Sequence, residues 1–424
     1  MQALEQAFDA ACSQRKIPGA VLAAADKSGN FAYAKAFGVR SLAEGKQAPL
    51  GLDSIFALFS STKLVTTIAV LQLVEAGKVR LDDDVATILP EIAGQPILTG
   101  IENGKPVFTK RQNPITLRHL ITHSSGLAYT FMSPPLMEYQ TSLGVAGPPK
   151  NVVESYNLPL VFEAGTSWKY STGLDWAGVL VSRLAKVDLE TYFQTNILKP
   201  LGISDTTFWP TKHPDLAGRV ASMSIRDPAD PQGKAQAYSG PDMHSAAQTE
   251  MGGQGLYSSA PSYLKILHSL LVDDEKILKK ETTALMFQPQ LAEESRDSLQ
   301  ALYASRPTRG PCAIGKFPPG VRYDWGLGGL LTTEDVNQEG VIFRRKGCLN
   351  WSGMPNLFWF LDRNAGVCGF YGGQLMPSGD AQVQELICLF EKTIYKEASA
   401  KGNIGSPKKS NSARRNSRLV YDGT

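Results

Sequence analysis

The apolar positions of this chain change period several times. Met1-Gln-Ala-Leu-Glu-Gln-Ala-Phe8 reads as the start of an amphipathic helix, which Pro18-Gly19 breaks. The apolar runs Ala20–Ala25 and Phe31–Phe37, joined through Lys27-Ser-Gly-Asn30, then predict a β-hairpin. Near the other end, Leu357–Leu361 and Val367–Tyr371 predict a second pair of strands around the turn Asp362-Arg-Asn-Ala-Gly366. A last helix is expected from about Asp380 to Glu397. Most of the chain between reads as helices and Pro/Gly loops, with helical runs at Asp175–Leu184 and Ser262–Leu271. The pattern predicts an α/β (α+β) fold: a sheet built by both chain ends, flanked by helices, with a mostly helical insertion.

One stretch is apolar on nearly every side. Leu64–Val74 reads Leu-Val-Thr-Thr-Ile-Ala-Val-Leu-Gln-Leu-Val before Glu75-Ala76-Gly77 ends it, the pattern of a buried central helix. Directly before it, behind Ile55–Phe59, stands Ser60-Ser-Thr-Lys63. Helix positions three apart are neighbours, so Lys63 Nζ can reach Ser60 Oγ. Burial disfavours an ammonium and pulls its pKa below the reference of ~10.4, as a base needs. The helix N-terminus favours negative charge developing at Ser60. This is the chemistry of S-x-x-K acyl enzymes. The competing reading makes Ser60 a helix cap and Lys63 a stem along the surface with its amine in water.

The same spacing recurs at Ser13, Ser262 and Ser406. Ser13 stands at the polar end of the first helix and Ser406 in a Lys/Arg-rich tail. Ser262 opens a helix and is the real rival, with Lys265 reading as a solvated residue. Tyr170, in Tyr170-Ser-Thr172 at a loop-to-helix junction, is either a third proton-handling group or a boundary tyrosine half buried for packing. Trp351-Ser352-Gly353 precedes the strand Leu357–Leu361, where small side chains would let a substrate approach backbone N–H groups.

These three places, in this order, resemble the serine β-lactamase and penicillin-binding-protein superfamily, in its class C-like branch of esterases and acyltransferases. Ser60 and Lys63 match its S-x-x-K motif, and Tyr170 its Y-x-N motif, with Thr172 in place of the Asn. Trp351-Ser352-Gly353 matches the esterase form of its third motif. Ile17-Pro-Gly-Ala20, Thr116–Leu127, Leu201-Gly-Ile203 and Gly252-Gly-Gln-Gly-Leu256 support the resemblance, which covers about residues 1 to 397. Leu174-Asp-Trp-Ala-Gly178, Leu285-Met-Phe-Gln-Pro289 and Arg344-Arg-Lys-Gly347 are similar to fungal polyketide acyltransferases of the lovastatin-pathway type.

The resemblance implies a serine β-lactamase-like catalytic domain over 1–397 and acyl transfer through Ser60 onto a hydroxyl of a polyketide-type metabolite. Lys63 and Tyr170 would share the proton. Backbone N–H groups of Ser60 and of a residue at or just after Gly353, taken as Met354, would bind the oxyanion. The expected partners are a small-molecule acyl donor and an alcohol acceptor, with an acyl carrier domain of a polyketide synthase as one form of donor. Release to water, as in an esterase or thioesterase, is the first alternative, and a non-catalytic acyl-ligand binding protein the second.

Composition agrees with an ordinary globular chain, 42% hydrophobic and 20% charged among 424 residues. No apolar run reaches about 18 residues, so no membrane span is expected. The N-terminus lacks the pattern of a signal peptide, which predicts a cytoplasmic location. Five cysteines, Cys12, Cys312, Cys348, Cys368 and Cys388, are odd in number, lack a C-x-x-C pair and read as free, mostly buried thiols. The net charge of +3 does not point to nucleic acid, because residues 401–424 carry +5 and the rest −2. Residues 398–424 therefore read as a basic, disordered tail.

Residues 128–139, including Tyr129, read as a Pro-broken loop rich in aromatic and Met side chains, suited to an adaptable apolar wall or to packing on the core. Residues 222–250 read as a lid or a carrier contact. His119 and His123 stand four apart, but no Glu or third ligand accompanies them, and neither a metal nor a cofactor is expected.

Overall fold

The computed structural model describes residues 1–144, 147–305, 314–318, 320–338 and 342–400. Both chain ends meet in one seven-stranded sheet. Its strands are β1 (Gly19–Asp26), β2 (Ala32–Gly38), β3 (Tyr323–Trp325), β4 (Leu330–Thr332), β5 (Leu349–Gly353), β6 (Leu357–Asp362) and β7 (Val367–Gly372). The spatial order is β2-β1-β7-β6-β5-β4-β3, and every neighbouring pair is antiparallel. Val21 stands opposite Gly372, and Trp351 opposite Trp359.

Helices cover both faces. Ala20, Leu22 and Ala24 pack with Phe8, Phe358, Phe360 and Phe390, beneath α1 (Gln2–Ser13) and the C-terminal helix Ala381–Ala400. Val21, Ala23 and Ala25 point the other way and pack with Leu267, Trp359 and Phe370. A sheet buried on both faces needs no polar alternation, which is why β1 reads as a continuous apolar run.

The apolar stretch after Ser60 is the buried helix α2 (Thr62–Glu75), in which every residue from Thr62 to Leu71 is buried. Leu64, Val65, Ile68 and Leu71 are fully buried and contribute ~1.5–3 kcal/mol each. Together they outweigh the several kcal/mol that one buried ammonium costs. α2 packs against α3 (Gly173–Ala185), and the helix Ala260–Val272 packs on the sheet, with Tyr263 4.6 Å from the ring of Phe370.

The structure corrects or extends the sequence pattern at three places. Residues 128–139 are not a loop throughout: a 3-10 turn at Thr130–Met132 leads into the helix Pro134–Ser142. Pro134 and Pro135 start that helix, since the first helical turn has no hydrogen bond for a proline to break. Trp351-Ser352-Gly353, which precedes the strand Leu357–Leu361 as expected, is itself the end of a strand, β5. The sheet also recruits β3 and β4, which the pattern did not reveal because strands of three residues show no period.

Four of the cysteines are free thiols, Cys12 half-buried and Cys348, Cys368 and Cys388 buried. Cys312, Ser406 and the basic tail from residue 401 lie outside the described residues. No helix among the described residues is long and apolar enough to cross a membrane.

Arg344, on the separate hairpin strand Ile342–Arg344, ties that hairpin to the C-terminal helix. Its fully buried guanidinium forks onto Glu391 at 2.6 and 3.0 Å. Removing one partner of such a pair strands a buried charge. Arg344→Met is therefore expected to destabilise the fold by about 3–5 kcal/mol in urea unfolding. The double variant Arg344→Met/Glu391→Leu should recover most of that loss, and a double variant as unstable as the single one would refute this reading.

Candidate active site

The short strand Ile55–Ala57 pairs with Tyr257–Ser259 and carries the chain to Ser60. Phe59 takes φ +45°, a left-handed conformation that costs a non-glycine residue ~1–2 kcal/mol. It bends the strand into the 3-10 turn Phe59–Ser61, which runs directly into α2. Three contacts hold the turn. Leu58 N–H donates to the Leu256 carbonyl at 2.9 Å, and Tyr263 Oη to the Ser61 carbonyl at 2.8 Å. Gly353 of β5 packs so close that a Cβ there would stand 2.3 Å from the Leu58 carbonyl oxygen. The glycine of the third motif is thus a requirement of close packing.

Lys63, only 2% exposed, lies 3.3 Å from Ser60 Oγ through its Nζ. The amine also donates to the Gly253 carbonyl at 2.8 Å and to Tyr129 Oη at 3.0 Å. Tyr129 Oη donates in turn to Asp175 Oδ2 at 2.9 Å, and the Gly253 N–H to Asp175 Oδ1 at 2.9 Å. One buried carboxylate on α3 therefore organises both groups that receive Lys63. A neutral amine can donate to Gly253 and Tyr129 while accepting the Ser60 proton, and an ammonium can donate to all three. Both states of the lysine are accommodated without rearrangement.

Burial raises the Asp175 carboxyl above its ordinary range, against the pull of Lys63, the Gly253 N–H and the Tyr129 hydroxyl. Burial, with Asp175 next, holds the Tyr129 phenol well above its usual range, so it remains a neutral donor. Asp175 was not recognised in the sequence as a site residue. Its one signal is an acidic side chain on the buried face of an apolar helix.

Tyr170 stands three residues before α3 and is buried. Its hydroxyl accepts from Trp351 Nε1 at 3.1 Å, and Lys63 Nζ lies 4.7 Å from its ring centre. The structure thus brings Ser60, Lys63, Tyr170, Trp351 and Gly353 together, with Ser352 buried in β5 between the last two. Tyr129 serves Lys63 as well as the cavity wall. Thr172, where the family has Asn, begins α3: its carbonyl accepts from Asp175 and Trp176 N–H at 3.0 and 3.2 Å.

A cavity of about 850 Å³ opens over Ser60, walled by Tyr129, Phe131, Leu158, Tyr170, Met354 and Met376 among others. Its size suits a drug-sized organic ligand. Residues 222–250 are not among its lining residues. They pack beside it, the His244 ring 4.5 Å from that of Phe59 and the Gln248 N–H donating to the Lys150 carbonyl at 2.7 Å.

The rival pairs are not assembled in this way. Ser13 Oγ donates to Ala10 at the end of α1, and Lys265 reaches the Gly202 carbonyl from an exposed helix face. His119 Nδ1 caps its own helix by accepting from Thr116 N–H. Among the described residues no group of three or more His, Cys, Asp or Glu could hold a metal ion.

The glycines of Gly252-Gly-Gln-Gly255 also have a physical reason. A Cβ on Gly253 would stand 2.3 Å from Asp175 Oδ2. Gly253→Ala is expected to displace the carboxylate and lower activity by on the order of 10²-fold, the scale of a ~1 Å misplacement, with the protein still folded. Ester-hydrolysis kinetics beside a melting curve check it, and full activity would show that Asp175 tolerates the shift.

An antiparallel sheet covered by helices, with a Ser-x-x-Lys pair at a cavity floor, defines an enzyme fold equipped for acyl chemistry. The profile of the Beta-lactamase family matches residues 1–384, and the chain belongs to that family. It is 39% identical to monacolin J acid methylbutanoyltransferase of Aspergillus terreus, over 92% of this chain and 95% of that protein. It is 38% identical to lovastatin esterase of Penicillium rubens, over 94% of this chain and 99% of that protein. A solved mutant of simvastatin synthase from Aspergillus terreus superposes with a TM-score of 0.85 at 39% identity, covering 94% of this chain and 95% of that one.

Proposed function

We propose that this protein is a serine acyltransferase that moves an acyl group from a thioester or ester, through an acyl-Ser60 intermediate, to a hydroxyl of a polyketide-type metabolite. The observation that carries the reading is Lys63 Nζ 3.3 Å from Ser60 Oγ at the floor of a cavity of about 850 Å³. Ser60 Oγ attacks the acyl carbonyl while its proton passes to the Lys63/Tyr170 pair, and the collapsing tetrahedral intermediate expels the thiol or alcohol, which takes that proton. The acceptor hydroxyl then repeats the sequence in reverse. N–H groups of Ser60 and Met354 bind the oxyanion, where one donor contributes ~3–4 kcal/mol to lowering the barrier. The catalytic domain covers residues 1–397, and the donor is a free acyl thioester or an acyl carrier domain.

Transfer is favoured over hydrolysis by the cavity, which is far larger than a short acyl group requires. The methylbutanoyltransferase relative is in line with this, but an esterase matches almost equally well. The second reading is therefore release to water, supported by the Trp351-Ser352-Gly353 motif. Incubation with a butyryl thioester, with and without a panel of polyketide alcohols, separates the two. Transfer predicts acylated alcohol as the main product, and only free acid under every acceptor would establish the esterase.

A further inference from the structure

We infer that His123 is a positioning residue for Tyr170: a neutral imidazole whose Nδ1 accepts from the peptide that follows the tyrosine and so fixes where its phenol points. The inference rests on the reading of Tyr170 as a proton-handling group. His123 follows the helix Leu117–Ile121 with φ +63°, a left-handed conformation in which His is enriched among non-glycine residues. Its side chain is completely buried.

One residue holds the chain on both sides of Tyr170. The His123 carbonyl accepts from Lys169 N–H at 3.1 Å, and His123 Nδ1 accepts from Ser171 N–H at 3.2 Å. The imidazole lies 4.7 Å from the Tyr170 ring and meets Trp325 edge to face at 4.8 Å. Ser171 Oγ is 2.9 Å from the same nitrogen. Taking Ser171 N–H as the donor leaves Nδ1 bare and assigns the ring proton to Nε2, a buried nitrogen without a partner among the described residues. Burial, with Lys63 nearby, drives the imidazole well below its ordinary 6.5 and keeps it in that form.

Beyond Tyr170, Trp351 Nε1 holds the hydroxyl end. The tyrosine is thus fixed at its peptide by His123 and at its oxygen by β5. Losing the first anchor leaves the second to tilt the phenol, which changes the rate of proton transfer more than substrate binding.

Two substitutions separate the hydrogen bond from the ring. His123→Phe keeps the ring and deletes the acceptor, whereas His123→Asn offers an oxygen at the same distance from the backbone and tolerates positive φ. His123→Phe is expected to lower the acylation kcat on p-nitrophenyl butyrate by about 100-fold with KM nearly unchanged, and His123→Asn to recover most of that loss. Tyr170→Phe, measured alongside, is expected to be slow. If Tyr170→Phe acylates normally, the reading of Tyr170 fails and the inference falls with it. If Tyr170→Phe is slow while a folded His123→Phe keeps the wild-type rate, or if His123→Asn is no better than His123→Phe, the anchor itself is overturned. Nitrogen-15 NMR of the wild-type histidines gives a test that needs no variant to fold: a bare Nδ1 and a protonated Nε2 on His123 at neutral pH are expected, and a protonated Nδ1 would refute the assignment.

Discussion

Replacing Lys63 with Met is expected to slow acylation by on the order of 10³-fold, within the range for loss of a general base. Ser60→Ala should lose at least as much. The double variant should fall no further than Ser60→Ala alone, because two groups that serve one proton transfer cannot lose their effects twice. The reason is geometric. Lys63 Nζ contacts Ser60 Oγ at 3.3 Å, and Tyr129 and Gly253, to which it also donates, are tied to Asp175. Pre-steady-state hydrolysis of p-nitrophenyl butyrate by the three variants checks this. A Lys63→Met enzyme that acylates at the wild-type rate would remove the lysine from the mechanism.

Asp175→Ala is expected to be the most damaging single change to stability in the site. It leaves the Tyr129 hydroxyl and the Gly253 N–H without their acceptor and takes a negative charge from beside the buried Lys63. Breaking a buried charged network on one side costs about 3–5 kcal/mol, readable by urea unfolding. Activity should fall as well, by about 10²-fold in the folded fraction, because both partners of Lys63 lose their anchor. The pH dependence has a definite sign. The native carboxyl holds its proton more tightly than the unfolded chain does, since burial raises it above 3.8. The proton-linked part of its contribution is complete below that value and declines as pH rises through the native one, while the hydrogen bonds to Tyr129 and Gly253 remain, so the variant should lose only that decline. Asp175→Ala with wild-type stability and rate would show that Lys63 needs no carboxylate.

Much of the site was legible because its chemistry is local. Ser60 and Lys63 are one helical turn apart, and the apolar run behind them announced a buried helix before any contact was known. The sheet was legible at its terminal hairpins, whose strands are long enough to show a run and whose turns carry Gly and Asn. What the sequence hid was long-range. Asp175 meets Tyr129 from 46 positions away and Gly253 from 78, and its one local signal, an acidic side chain on the buried face of an apolar helix, names neither partner. Tyr129 showed its aromatic character but not its hydroxyl partners. The helix Pro134–Ser142 was missed because two adjacent prolines read as a break, although at a helix start they cost nothing.

The anchoring of Tyr170 has the same origin. His123 drew notice in sequence only as half of an i,i+4 histidine pair, a metal-like spacing. In the fold His119 caps its own helix while His123 turns inward beneath Tyr170. The backbone reversal at φ +63° separates the two.

The central claim is a covalent acyl group on Ser60, and mass spectrometry tests it most directly. The protein is mixed with a butyryl thioester, quenched within the first turnover, weighed intact and digested. The expected result is one added butyryl group on the wild type, carried by the peptide containing Ser60, and none on Ser60→Ala. An equal adduct on Ser60→Ala, or an adduct mapped to the peptide containing Ser262, would contradict it.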